Sequence, residues 1–245
     1  MHQKIFLDSK SGKVCCVYNK MENSNSIVII SHGYLSDKNS RTGLKLAQKL
    51  NSSNISTISL DLYGHGESEG DIEYLTISKA VDNVLAVYDF VKSEGFQKIG
   101  LVGSSLSGIV SLIVASKRKI DALSLKCPVF DYKGLWDDRV GPEAVKEWKE
   151  KGFMKPFGKR MHYEIYEDSM KYKMKNIAKT IIAPTIVIHG DKDTTVPLQQ
   201  AKDLLNSVSG QKKLAIIKGA DHFFHNEDHF NQMVNVSFEW LLSKL

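Results

Sequence analysis

Two kinds of apolar pattern alternate along the chain. Short runs of β-branched and aliphatic residues are separated by longer stretches in which apolar residues recur every third or fourth position, the signatures of strands and of one-sided helices. Two N-terminal strands are predicted around Lys4 to Leu7 and Lys13 to Tyr18. Ile27-Val28-Ile29-Ile30 is apolar without alternation, as in a central strand covered on both faces, and it ends at Ser31-His32-Gly33. A helix is predicted from about Arg41 to Asn51, where Leu44, Leu46, Ala47 and Leu50 recur at helical spacing. A strand over Ile55 to Leu60 and a glycine-rich loop from Tyr63 to Gly70 follow. Thr76 is a natural N-cap for a helix reaching Lys92. Next come a strand from Lys98 to Val102, a sharp turn, an apolar helix from Ile109 to Ala115, and a strand from Ala122 to Cys127 that Pro128 terminates.

From about Phe130 to Thr180 the pattern lapses into a segment rich in Lys, Glu, Tyr and Trp with no βαβ unit. It resumes with a strand from Pro184 to His189, a helix from about Leu198 to Ser207, a strand from Lys213 to Ile217 and a C-terminal helix ending near Leu242. Strand, helix, strand succession implies an α/β fold with a mostly parallel central sheet and helices on both faces. Residues 1–129 and 181–245 are expected to form this core, and residues 130–180 a small inserted cap. A chain of 245 residues, 42% hydrophobic, suits one such domain.

Charge narrows the picture little: 33 Lys and Arg against 28 Asp and Glu give a net +5 spread along the chain. Basic residues without interleaved aromatic stacking groups do not imply nucleic acid, and Ser116-Lys117-Arg118-Lys119 reads as the solvated end of a helix. The three cysteines, Cys15, Cys16 and Cys127, offer no pairing frame and no metal spacing, which points to a reducing compartment. No apolar run approaches the ~18 residues of a membrane span, and the N-terminus lacks a signal-peptide core. A soluble, cytoplasmic protein without membrane or nucleic-acid partners is expected.

The chemistry is concentrated where strands end. Gly103-Ser104-Ser105-Leu106-Ser107 joins a buried strand to a helix, the context of a nucleophile elbow. That strained turn needs small residues two before and two after the nucleophile. Ser105 is flanked by Gly103 and Ser107; Ser104 by Val102 and Leu106; Ser107 by Ser105 and Ile109. Only Ser105 qualifies. Ser107 stands where the common pattern has a second glycine, and Gly108 is expected to relieve the crowding there.

A serine also needs a base and a group to orient it. One later strand runs into Gly190-Asp191-Lys192-Asp193-Thr194-Thr195-Val196-Pro197, and the next into Gly219-Ala220-Asp221-His222. With Ser31-His32-Gly33-Tyr34 and Gly64-His65-Gly66-Glu67-Ser68, these motifs resemble the α/β-hydrolase superfamily over essentially the whole chain. The resemblance implies Asp193 as the acid, with Asp191 as runner-up and Asp131 third, and His222 rather than His225 as the base. It implies backbone N–H groups of Tyr34 and Leu106 as the oxyanion hole, with His32 bracing the loop. No metal or organic cofactor is required. The insert looks like that of bacterial feruloyl and cinnamoyl esterases and of monoacylglycerol-lipase-like or aminopeptidase-like hydrolases. Its Trp136, Trp148, Phe153, Phe157, Tyr163, Tyr166 and Tyr172 either surround the mouth of the site or pack on themselves. A serine carboxylesterase acting on small acyl or aryl esters is expected. The alternatives are an aminopeptidase or amidase that holds an amine with Glu143, Glu147, Glu150, Glu164, Glu167 or Asp168, and a non-catalytic binding protein.

Overall fold

In the computed structural model, which describes residues 2–245, eight strands form one sheet in the order β1-β2-β4-β3-β5-β6-β9-β10. The first half of the chain supplies β1 (His2–Ser9), β2 (Gly12–Asn19), β3 (Ser26–Ser31), α1 (Arg41–Ser52), β4 (Ser56–Leu60), α2 (Ile77–Ser93), β5 (Lys98–Ser104), α3 (Leu106–Lys117) and β6 (Ala122–Lys126). The insert carries α4 (Tyr132–Lys151), the short antiparallel pair β7 (Phe153–Met154) and β8 (Met161–His162), α5 (Glu164–Ser169) and α6 (Met174–Lys179). The chain then rejoins the sheet with β9 (Thr185–Gly190), α7 (Leu198–Ser207), β10 (Lys212–Ile217) and α8 (Glu227–Leu242). β1 and β2 pair antiparallel, as do β2 and β4, and every other neighbour in the sheet is parallel.

Continuous apolarity in β3 reflects burial on two sides. Ile27 and Ile29 join the core shared with α2 and α3, while Val28 and Ile30 join a core with Leu46 and Leu50 of α1 and Leu241 of α8. Thr76 caps α2 by accepting from the Lys79 amide, as its position suggested. The start of one helix differs from the sequence reading. The elbow helix begins at Leu106 rather than Ile109, because Ser107 and Gly108 lie inside its first turn. The lapse in periodicity after Phe130 has a backbone cause: α4 is bent at Gly141, whose φ is 79°, and Pro142 follows without an N–H to donate.

From β3 the chain moves outward to β4 and then crosses to β5 on the other side, so the sheet's topological switch lies between β3 and β5. The carboxyl ends of strands flanking such a switch form a crevice where ligands bind. The candidate groups from four strands converge there.

Candidate active site

Ser105 sits between β5 and α3 with φ 53° and ψ −114°, a conformation that L-residues adopt only under constraint. The constraint is visible: its N–H donates to the Lys126 carbonyl at 2.9 Å and its carbonyl accepts from the Val129 N–H at 2.9 Å. Gly103 is required by space, since a Cβ there would lie 2.4 Å from the Ser107 carbonyl oxygen and 2.3 Å from Ser111 Oγ. Ser107 is accommodated, and its hydroxyl is used. It lies 2.8 Å from Ser31 Oγ and donates to the His32 carbonyl, tying the elbow helix to the end of β3. Gly108 plays a different part from the one expected. A Cβ there would come within 2.4 Å of Pro128, so it admits the β6 loop rather than relieving Ser107.

His222, carried by the loop after β10, places Nε2 3.1 Å from Ser105 Oγ and Nδ1 2.7 Å from Asp193 Oδ2. Nδ1–H donating to the carboxylate leaves Nε2 free to accept the serine proton. The Asp193 side chain is fully buried. Its Oδ1 accepts from the amides of Thr195 and Val196, both at 2.8 Å. His189 Nε2, on β9, lies 3.3 Å from Oδ2 of the same carboxylate. Burial pushes this carboxyl group up, but the hydrogen bonds from His189 and His222, the His222 charge and the Val196 amide outweigh it and hold it well below the usual carboxylate range. Asp191 instead accepts from the Gly219 amide, Asp131 caps α4, and exposed His225 pairs with half-buried Asp221.

The loop after β3 presses against Ser105, since a Cβ on Gly33 would meet Ser105 Cβ at 3.1 Å. Tyr34 and Leu106 both line the cavity at Ser105. Leu106 is the first residue of α3, where helix amides have no partner within the helix. Buried polar groups hold the loop. His32 accepts from the Leu62 amide at 3.1 Å, and His65 accepts from Leu35 at 3.3 Å. Lys38, 5% exposed, meets fully buried Asp61 at 2.7 Å and Glu67 at 2.9 Å. Lys4 and Lys38 bring the Glu67 carboxyl down to about 2.

A cavity of about 300 Å³ opens beside Ser105 and His222, lined by Tyr132, Leu135, Trp136, Phe157, Met161 and Val196 among others. Of the seven aromatic residues considered in the insert, only Trp136 and Phe157 reach it. Trp148, Tyr163 and Tyr166 pack on one another, with Trp148 1% exposed, and Tyr172 bonds to Ser78 of α2. A second space of about 180 Å³ shares Ser105, His222 and Tyr34 and extends to Arg41, Lys126 and Phe230. Among the described residues, one group of three, Cys127, Asp193 and His222, brings potential metal-ligand atoms within 4.8 Å of one another. The acid and the imidazole are already bonded to each other, and burial pushes the Cys127 thiol up. Sequence reasoning missed two residues here, His189 against Asp193 and Lys126 in the smaller cavity. The signal for Lys126 was a lysine closing an otherwise apolar central strand.

Curated relatives are distant but extensive. Human protein ABHD12B is 23% identical over 89% of this chain, and an acyl transferase of Shewanella hanedai 27% over 81%. The mitochondrial palmitoyl-protein thioesterase ABHD10 of Bos taurus is 26% identical over 84%. The chain spans 61%, 67% and 69% of their respective lengths. Among solved structures, mouse ABHD10 superposes with a TM-score of 0.86 at 23% identity, covering 99% of both chains. Est1E of Butyrivibrio proteoclasticus, solved with ferulic acid, gives 0.83 at 21% identity and 98% coverage of both chains. These superpositions share the α/β-hydrolase fold. The sequence model of one family of serine hydrolases matches residues 22–164, more than half of the chain, so the chain belongs to the α/β-hydrolase family described as serine aminopeptidase, S33.

Proposed function

We propose that the protein is a serine carboxylesterase that cleaves small acyl or aryl esters through an acyl-enzyme on Ser105. The observation that carries this reading is the relay from Asp193 through both nitrogens of His222 to Ser105 Oγ, 2.7 Å and 3.1 Å in its two links. His222 takes the hydroxyl proton as Ser105 Oγ attacks the carbonyl carbon, and Asp193 stabilises the imidazolium. The carbonyl oxygen becomes an oxyanion received by the Tyr34 and Leu106 amides. Collapse expels the alkoxide, which takes the proton from His222. Water, deprotonated by the same imidazole, then attacks the acyl-enzyme and restores Ser105.

Ester rather than aminopeptide chemistry is favoured by charge. A substrate ammonium needs a carboxylate, and neither cavity at Ser105 is lined by Asp or Glu. Of the six acidic insert residues with that potential, Asp168 is bonded to Ser78 of α2 and Glu147 is paired with Lys151. The larger cavity is at the low end of ligand-pocket volumes, which suits short acyl groups. The test is labelling by a fluorophosphonate together with turnover of p-nitrophenyl acetate, butyrate and octanoate, beside Ser105→Ala. Labelling and turnover are expected in the wild type and absent in the variant. A folded wild type that neither labels nor turns over any of the three overturns the reading in favour of a binding protein.

A further inference from the structure

The two spaces that meet at Ser105 differ in chemistry. The larger is walled mainly by aromatic and aliphatic side chains, and the guanidinium on its wall, Arg139, donates to the Thr195 carbonyl and lies 4.9 Å over the Trp136 ring; the smaller carries Lys126 and Arg41. Arg41 is already committed: it pairs with Glu227 and lies 3.7 Å over the Phe230 ring. Lys126 is not. It is the last residue of β6, in register with Ser104 beside the nucleophile, and its ammonium stands 5.5 Å from the centre of the Phe224 ring. Among the described residues no carboxylate lies within ion-pair distance of it. The two acids whose charges reach it, Asp193 and Asp221, are bonded to His222 and His225. Burial pushes its ammonium down, so an anion arriving in the cavity would offset a real desolvation cost.

We propose that Lys126 receives a carboxylate on the alcohol arm of the substrate, while the apolar acyl arm fills the aromatic cavity. The inference rests on the esterase reading above, because an ester carbonyl at Ser105 would sit where the two spaces join. It adds a charge requirement to that reading: the preferred substrates are acyl esters of small hydroxy acids. Lysine suits the task as a compact point charge that needs no bidentate geometry.

The test compares 2-(butyryloxy)acetate with 2-(butyryloxy)acetamide, which have the same acyl group and nearly the same shape but differ by one charge. Wild type is expected to favour the acid at least tenfold in kcat/KM, a preference that shrinks as salt is raised to 0.5 M. In Lys126→Met the preference should vanish while the amide is turned over within about threefold of wild type; Lys126→Arg should retain part of it. A preference unchanged in Lys126→Met, or an equal loss for both substrates, overturns the proposal. If neither compound is hydrolysed by wild type, the fluorophosphonate and p-nitrophenyl ester test decides the esterase reading separately. Calorimetric binding to Ser105→Ala with and without Lys126→Met then decides the anion site: tighter binding of the acid only when Lys126 is present supports it, and equal affinities overturn it.

Discussion

The strand ends that carry the candidate triad and the insert beside them are held by different forces. At the strand ends, position is set by directed bonds: two amides and two imidazoles on Asp193, Ser107 between Ser31 and His32, and a buried lysine between Asp61 and Glu67. The insert is built around Trp148, whose ring lies 5.5 to 5.7 Å from those of Trp136, Tyr163 and Tyr166. Directed bonds locate atoms, while apolar packing encloses a volume and adapts when a contact changes. Disturbing the first region should therefore abolish reaction or folding, and disturbing the cavity wall should re-rank substrates.

The strongest way to break this contrast is Asp193→Asn, which keeps the shape and reverses the hydrogen-bonding role toward His222. A fall of about 10³- to 10⁴-fold in kcat is expected, about 4–5.5 kcal/mol of transition-state stabilisation. A loss below tenfold in steady-state kinetics would show that the carboxylate does not orient the base. Lys38→Met comes next, because it leaves Asp61 charged and buried without its partner; urea denaturation should report a loss of about 3–5 kcal/mol, and a change under 1 kcal/mol would contradict the brace. The third effect is pH-dependent. Burial and the neighbouring His65 bring His32 down to about 4, so below about 6.5 the unfolded chain takes a proton that the folded site refuses. Stability should be level above that pH with respect to this group and fall by up to about 3 kcal/mol as pH drops from 6.5 to 4. His32→Gln should flatten that stretch of the denaturation profile; an unaltered slope would assign the loss elsewhere. The smallest effect is expected from Phe157→Ala, at a side chain 58% exposed on the cavity wall. The butyrate to octanoate ratio should shift by up to about tenfold while stability stays within about 0.5 kcal/mol. A uniform collapse of activity would mean that the insert positions the chemistry as well as its substrate.

What was legible in the sequence follows the same division. Ser105 could be picked from its neighbours because a strand-to-helix turn imposes a local steric rule, and the hard limit proved to lie at Gly103 while position 107 tolerates a side chain. Strands buried on both faces announce themselves as unbroken apolar runs. Asp193 and His222 needed the resemblance to rank them above Asp191 and His225, since all four occupy similar polar turns and differ only in what they face across the fold. His189 was invisible as a partner of Asp193: its neighbours describe a buried strand, and nothing local shows that the strand's turn folds back on it. The aromatic residues of the insert were ambiguous for a related reason. Composition is the same whether a ring faces a ligand or another ring, and only Trp136 and Phe157 turned toward the cavity.

Ser107 has a mechanical consequence. One hydroxyl joins the first turn of α3 to the last residue of β3 and to the His32 carbonyl, just before the loop that carries Tyr34. That hydroxyl ties the helix behind Ser105 to the loop that carries Tyr34, and a residue without a side chain at this position would make neither bond.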